Sequence, residues 1–221
     1  MNDPRPLTGT ERAASTLMKL GMWVAEGYAL PFTEDLVRSF GVRGAVQELL
    51  RYRRVQEALT ARYGERDAHL LLGFAALWNG CGYCSVGHMF ASNLLRYREQ
   101  ALLFPIDQDE AERLQHMTDE GAMERVRELL RGDSRYARVL ALIERQFKLK
   151  RGEAEGSTDD DAMLNACNAA LDLSNECSIL AGLDADPHAV PPLSRHSRDY
   201  LLRHRYEAAR QAVRKQRASA P

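Results

Sequence analysis

The chain has 221 residues, a formal net charge of −1 and a charged fraction of 28%, and 45% of its residues are hydrophobic. This balance excludes an intrinsically disordered chain and does not indicate a nucleic-acid-binding protein. It contains 30 Leu and 29 Ala but only 10 Val and 3 Ile. Because Leu and Ala favour helices whereas β-branched residues favour strands, we do not expect an all-β or parallel-sheet fold, and the length favours a single domain over residues 1–221.

Breaker residues divide the chain into a series of predicted helices. Acidic residues follow Thr33 and cluster around Asp109. They indicate that helices begin there, because the positive end of the helix dipole favours acidic side chains in the first turn. The loop at 150–158 is the one long connection, and Thr158 is positioned to cap the helix that follows. The apolar spacing predicts helices at about 10–28, 45–63, 65–79, 81–100, 135–149, 160–182 and 194–217.

The number of cysteines and the lack of long apolar segments indicate the cellular compartment of the protein. The chain has four cysteines, at positions 81, 84, 167 and 177, which are too few for a disulfide scaffold of this length. No apolar signal segment is visible at the N-terminus, and the longest apolar run, about residues 70–78, is far shorter than a membrane span. We therefore expect a cytoplasmic protein with no membrane partner, in which cysteines are more often catalytic or metal-binding than structural.

The most informative segment is residues 69–95, HLLLGFAALWNGCGYCSVGHMFASNLL, which contains the pattern Cys81-x-x-Cys84-x-x-x-His88. If a helix follows the Asn-Gly break, Cys84 and His88 lie four residues apart on one face. Cys81 then lies in the first turn, where the helix dipole lowers the pKa of a thiol. An imidazole beside Cys84 can accept its proton. The spacing thus supplies a nucleophile, a second thiol and a base within about two turns.

Two other interpretations of the same residues stay open. The pair and His88 are three metal ligands, and a structural zinc site would need a fourth, from His69, Cys167 or Cys177. Alternatively, all three are ordinary core residues. Thiol redox chemistry, with no metal and no cofactor, is favoured because the histidine, the break and the preceding apolar helix occur together. Apolar residues around the motif either line a pocket for an organic peroxide or belong to the core or a subunit interface; they are Phe74, Leu77, Trp78, Met89 and Phe90.

The stretch NGCGYCSVGH resembles the core motif of the AhpD-like alkylhydroperoxidase and carboxymuconolactone decarboxylase superfamily, in which an apolar helix precedes Asn-Gly-Cys-x-x-Cys-x-x-x-His. The motif occupies residues 66–100. The resemblance extends over about residues 55–104, and more loosely over 160–184, and leaves the two ends of the chain unexplained. It implies an all-α AhpD-like bundle that forms a homo-oligomer.

The resemblance also implies roles for individual residues. Cys84 matches the cysteine that peroxide oxidises to a sulfenic acid, and Cys81 matches the one that donates a proton and then closes the disulfide. His88 matches the histidine that assists thiolate formation. These roles predict a catalytic site made of the two cysteines and His88.

Two positions depart from the family pattern. His69 stands where peroxidase members carry a glutamate, and Gly82 stands where the best-known members carry a histidine. Two interpretations of His69 stay open. It replaces the glutamate as a base, since histidine titrates near neutral pH, or it simply caps a helix or faces solvent. Glu65 lies one helical turn before it and is predicted to orient it.

These features predict a thiol-dependent peroxidase that reduces hydrogen peroxide or organic peroxides. An external dithiol, of the lipoyl or thioredoxin-like kind, would then reduce the disulfide. One alternative is a carboxymuconolactone decarboxylase-like lyase, although lyase members generally do not depend on a redox-active cysteine pair. The other is a non-catalytic helical oligomer that senses redox state or binds metal.

Two further features lie outside the motif. Cys167 and Cys177 are ten residues apart, which does not place them on one helix face, so we predict two buried and inert thiols.

The predicted C-terminal helix, 194–217, carries eight Arg or Lys residues from Arg195 onward. Such a helix suits an acidic partner, a membrane surface or nucleic acid, but is more often a solvated face or a subunit arm.

Overall fold

The computed structural model describes residues 5–184, 186 and 190–218. This part of the chain contains nine α-helices, two short 3-10 turns and no strand, which confirms the predicted all-α fold. The helices are α1 Gly9–Glu26, α2 Thr33–Tyr63, α3 Glu65–Trp78, α4 Gly82–Gln100, α5 Gln108–Gln115, α6 Asp119–Leu130, α7 Ala137–Lys150, α8 Asp159–Leu180 and α9 Tyr200–Ala218. The 3-10 turns are Ser134–Tyr136 and Arg195–Arg198.

The centre of the bundle is the hairpin formed by α3 and α4. Every residue of α3 from Asp67 to Trp78 is buried, because this nearly continuous apolar run has no polar face to turn toward solvent. The hairpin turns at Gly80, whose φ of 74° lies in the left-handed region that glycine adopts without strain. The turn is closed by a hydrogen bond of 2.9 Å from the N–H of Cys81 to the carbonyl oxygen of Ala76.

The remaining helices surround this hairpin. Helices α2, α7 and α8 pack on α3, α1 packs on α2, and α5 and α9 pack on α4. The apolar residues around the cysteine motif lie in the core that these contacts form, as one of the two sequence interpretations predicted. The ring centroids of Trp78 and Phe147 are 4.8 Å apart, and those of Phe90 and Tyr206 are 5.8 Å apart.

Helix α2 is longer than the helix predicted over 45–63. It starts at Thr33 instead of near residue 45, although its backbone leaves the helical conformation at Gly41, with φ 67°. The sequence pattern indicated a helix start after Thr33 and a break at Gly41 and Gly44, but it did not show that the helix continues beyond the break without a loop. The acidic residues after Thr33 lie in the first turn, as expected.

The predicted start of the C-terminal helix, at residue 194, is wrong. Ser194 caps a separate 3-10 turn, in which its hydroxyl accepts the N–H of His196 at 3.2 Å. Asp199 then caps α9 by accepting the N–H of Leu202 at 2.9 Å, so the helix begins at Tyr200. Two successive side-chain caps therefore divide a stretch whose composition favours one continuous helix.

The loop at 150–158 ends as predicted. The Thr158 hydroxyl accepts the N–H of Asp161, and the Asp161 carboxylate accepts the N–H of Thr158, both at 3.1 Å. This reciprocal pair is a capping box. Arg145 of α7 donates to the same carboxylate at 2.6 Å, which joins α7 and α8 across the loop.

None of the helices in the described ranges combines the length with the apolar character that crossing a membrane requires.

Candidate dithiol site

The two cysteines of the motif lie at the N-terminus of α4. Cys81 is the N-cap residue, one position before the first turn where the sequence placed it. Its Sγ accepts a hydrogen bond of 3.4 Å from the N–H of Cys84. Cys81 is fully buried and Cys84 is 3% exposed. The helix start thus holds both sulfur atoms inside the protein, with free N–H groups directed toward Cys81.

The two thiols differ in how readily they ionise. The pKa of Cys81 is lowered to about 7, chiefly because the Cys84 thiol donates a hydrogen bond to it. The backbone N–H groups of Tyr83 and Cys84 add to this effect, and burial opposes it. The same hydrogen bond, together with burial, raises the pKa of Cys84 well above its usual value. The first proton is therefore lost from Cys81, whereas the resemblance implied assisted ionisation of Cys84.

Helix α8 contributes to the surroundings of the pair. The hydroxyl dipole of Ser178 lowers the pKa of each thiol. Ser178 is completely buried, so this dipole acts where water does not screen it. A third polar group, remote in sequence, therefore favours a negative charge on the pair.

His88 lies near the pair but is held by other residues. Its Nε2 is 3.2 Å from the Tyr52 hydroxyl of α2, and its Nδ1 is 3.0 Å from Nδ1 of His69. Among the described residues, no hydrogen bond joins His88 to Cys84, although both side chains line one cavity. The expected hydrogen bond between the imidazole and this thiol is therefore not found among the described residues.

His69 and His88 form a buried pair, each about 2% exposed. Burial lowers the pKa of His69 to about 4, and burial together with the neighbouring His69 lowers the pKa of His88 well below its usual value. Both rings are therefore neutral at physiological pH, and one of the two facing nitrogen atoms carries the shared proton. The sequence predicted both residues for the site, and the structure brings them together.

Glu65 does not orient His69 as predicted. Its carboxylate is 3.2 Å from Nε2 of His196, in the 3-10 turn before α9. Its negative charge raises the pKa of His69 slightly against the larger effect of burial. The exposed end of α3 turns this side chain toward the C-terminal segment instead of along its own helix.

A small cavity lies beside Cys84. Its volume is about 20 Å³, which is room for roughly one water-sized molecule. Cys84, His88 and Tyr52 line it, together with the buried carboxylate of Glu48. Cys81 does not line it, so a small molecule in this cavity meets Cys84 first.

The other two cysteines lie elsewhere. Cys167 accepts a hydrogen bond of 3.6 Å from Nε2 of Gln146, and burial raises its pKa to about 12. Cys177 is buried in another part of the core, beside Ser39. In the ranges that the structure describes, no three His, Cys, Asp or Glu side chains are arranged to hold a metal ion. The set of ligands considered for a zinc site is therefore not assembled.

Sequence reasoning missed several residues of the site. Tyr52, Glu48 and Ser178 come from α2 and α8, at distances along the chain that no local spacing can relate to the cysteines. The segment around Tyr52 is rich in arginine and shows no feature of a buried site. Only the tertiary packing of α2 and α8 against the hairpin reveals them.

Comparison of the chain with protein-family models, with curated proteins and with solved structures gave no match. The fold and the site define an all-α protein with a buried dithiol, in which a hydrogen bond from the Cys84 N–H to the Cys81 sulfur joins the two cysteines and a histidine pair lies close by.

Proposed function

We propose that this chain is a thiol-dependent peroxidase of the AhpD-like type, which reduces a hydroperoxide with the electrons of Cys81 and Cys84. The observation that carries the proposal is the buried cysteine pair at the start of α4, in which the N–H of Cys84 donates to Sγ of Cys81 and the pKa of Cys81 is low. A thiolate is the nucleophile in peroxide reduction, and a second thiol is needed to form a disulfide.

The first step takes place at Cys84, because this sulfur lines the cavity. The proton between the two thiols moves to Cys81 as Cys84 attacks a peroxide oxygen. A sulfur–oxygen bond forms and the oxygen–oxygen bond breaks. The departing oxygen takes the proton from Cys81 and leaves as water or an alcohol. The products at the site are a Cys84 sulfenic acid and a Cys81 thiolate.

The second step closes the disulfide. The Cys81 thiolate attacks the Cys84 sulfur, so that a sulfur–sulfur bond forms and hydroxide leaves. Two electrons have then passed from the sulfur pair to the peroxide. Burial of both cysteines favours this step over further oxidation of Cys84, because a second peroxide molecule has little space beside the sulfenic acid.

The hydroxide needs one proton to become water. The hydrogen-bonded side chains of His69, His88 and Tyr52 supply it. His69 takes up a proton at Nε2 and passes the proton on its Nδ1 to His88. His88 passes its Nε2 proton to the Tyr52 oxygen, and the Tyr52 hydroxyl proton goes into the cavity. Each residue starts and ends neutral, which suits their burial.

An external dithiol of the lipoyl or thioredoxin-like kind completes the cycle by exchange through a mixed disulfide. We propose the reducing cytoplasm as the compartment, since such reductants are available there. A redox sensor would form the same disulfide without sustained turnover. Peroxide consumption with excess dithiothreitol separates the two functions.

The test compares two single substitutions. Cys84→Ser is expected to abolish peroxide consumption, because the sulfur that meets the peroxide is gone. Cys81→Ser is expected to leave a sulfenic acid on Cys84, which dimedone labels and mass spectrometry locates. Cys177→Ser is the matched control and should behave as the wild type. Equal dimedone labelling of the two site variants would contradict the assignment.

We also propose that the protein is a homo-oligomer and that α1 contributes to its interface. This helix exposes four large apolar side chains, which are Leu17, Leu20, Trp23 and Val24. Such a patch is typical of a protein–protein interface. Light scattering should show a smaller particle for Leu17→Glu and no change for Leu201→Glu on α9, since Leu17 and Leu201 are 67% and 66% exposed.

A further inference from the structure

Two larger cavities adjoin the small one beside Cys84. The first, of about 360 Å³, lies between α1 and α2 and is lined mainly by apolar side chains such as Met22 and Leu50. The second, of about 470 Å³, continues toward α3 and is lined by charged groups such as Glu65 and Arg195. The two share a stretch of wall at Ala25, Glu26, Tyr28, Arg53 and Gln56. Together they form one trough, with an apolar end and a charged end.

Tyr28 is part of the wall between this trough and the small cavity beside Cys84, a wall to which Leu30, Leu49, Tyr52 and Leu193 also belong. Among the described residues, it is the one side chain that lines both ends of the trough and the small cavity as well. It lies in the connection between α1 and α2, directly after Gly27, the C-cap residue of α1. Within the described ranges its hydroxyl makes no hydrogen bond, whereas the hydroxyl of Tyr52 contacts His88 at 3.2 Å. The Tyr28 ring is therefore held by packing alone.

The geometry points to Tyr28 as the gate to Cys84: with the ring in place only a molecule of about the size of water or hydrogen peroxide fits beside the sulfur, and displacement of the ring admits organic molecules from the trough. The assignment concerns the same cysteine pair and so builds on the proposed function. In other enzymes, loops and helix ends that control access to an active site move in a step that is separate from the chemical reaction.

The first test measures access alone and needs no peroxide chemistry. Reduced protein is alkylated with iodoacetamide, which is small, or with a fluorescein maleimide, which is bulky, and peptide mass spectrometry gives the rate at Cys84. Tyr28→Ala should raise the ratio of the bulky to the small reagent's rate by about tenfold or more, the scale on which an apolar pocket discriminates by size. Tyr28→Phe should leave the ratio unchanged, because the ring and not the hydroxyl blocks the path.

Tyr63→Ala is the matched control. Tyr63 has the same exposed fraction as Tyr28, 8%, and belongs to the same core cluster, but it lines none of the three cavities. Its substitution loosens the core without opening the path. Circular dichroism verifies that each variant is folded, and Tyr28→Leu takes the place of the alanine variant if that one is unfolded. Equal ratios for the Tyr28 and Tyr63 variants would overturn the proposal.

A second measurement compares hydrogen peroxide with cumene hydroperoxide, in the presence of excess dithiothreitol. Tyr28→Ala should raise the rate with cumene hydroperoxide relative to that with hydrogen peroxide, whereas Tyr63→Ala should not. If no variant consumes either peroxide while the alkylation ratio still changes, the proposed function is wrong and the gate stands. If peroxide is consumed but both ratios are unchanged, the gate is wrong and the function stands.

Discussion

His69 and His88 meet through their Nδ1 atoms, 3.0 Å apart, inside the core. Neither imidazole has a carboxylate as its hydrogen-bond partner among the described residues, and the charge of Glu65 offsets only part of the effect of burial on His69. Burial therefore keeps both rings neutral. This relationship has a consequence for stability that is independent of any activity.

The free energy of unfolding should fall as the solution is acidified. Burial lowers the pKa of His69 from 6.5 to about 4, so between these values the unfolded chain binds a proton that the folded chain does not. The loss from His69 alone is on the order of 2 kcal/mol between pH 6.5 and 5. Urea unfolding at a series of pH values measures it. His69→Gln should weaken this pH dependence, and the exposed His116→Gln should not; equal slopes for His69→Gln and wild type would contradict the prediction.

Removal of the Tyr52 hydroxyl should disturb His88 specifically. In Tyr52→Phe the Nε2 atom of His88 is buried without a partner, which destabilises the protein by about 1–3 kcal/mol. Nitrogen NMR of the histidine rings should show a changed Nε2 signal for His88. Tyr63→Phe removes a hydroxyl that donates to Asp160 at 2.7 Å and should leave the histidine signals as they are. An unchanged His88 signal in Tyr52→Phe would mean that the contact does not persist in solution.

The low pKa of Cys81 should depend on the hydrogen bond from Cys84. Cys84→Ala removes the donor and should raise the pKa of Cys81 above its value of about 7. Cys84→Ser keeps a donor at this position and should shift the pKa less. The ultraviolet absorbance of the thiolate as a function of pH reports it, and Cys167, with a pKa raised to about 12, does not interfere. The same titration curve for both variants would show that the thiol donor has no influence.

The capping box before α8 should contribute measurably to stability. Thr158→Ala removes a side-chain acceptor from the helix start and should lower the free energy of unfolding by about 1 kcal/mol. Thr158→Ser keeps the acceptor and should retain most of the stability. Chemical unfolding of the two variants and wild type tests this, and equal stability of the alanine and serine variants would contradict it.

The cysteine motif was predictable because its parts are close together in the chain. An Asn-Gly break followed by Cys81, Cys84 and His88 specifies a turn, a helix start and a helix face by local rules. His69 was singled out because it stands where peroxidase members of the family that the motif resembles carry a glutamate. The structure adds that the two histidines contact each other, which no spacing rule states.

The residues that complete the site were not predictable in this way. Tyr52 and Ser178 reach the site from α2 and α8, so their positions depend on how whole helices pack. The order of ionisation was also hidden, because it depends on Cys81 being the N-cap and on which thiol donates to the other. Composition also did not predict where α9 begins, because it favours one continuous helix, whereas Ser194 caps a 3-10 turn and Asp199 caps α9.

The most direct test of the account is the fate of the four thiols when reduced protein receives one equivalent of hydrogen peroxide. Thiol titration and peptide mass spectrometry, performed before any reductant is added, should show the loss of two thiols and a disulfide between Cys81 and Cys84, with Cys167 and Cys177 still reduced. A protein that keeps all four thiols, or that is oxidised first at Cys167 or Cys177, would contradict the central claim that the pair at the start of α4 is the redox centre.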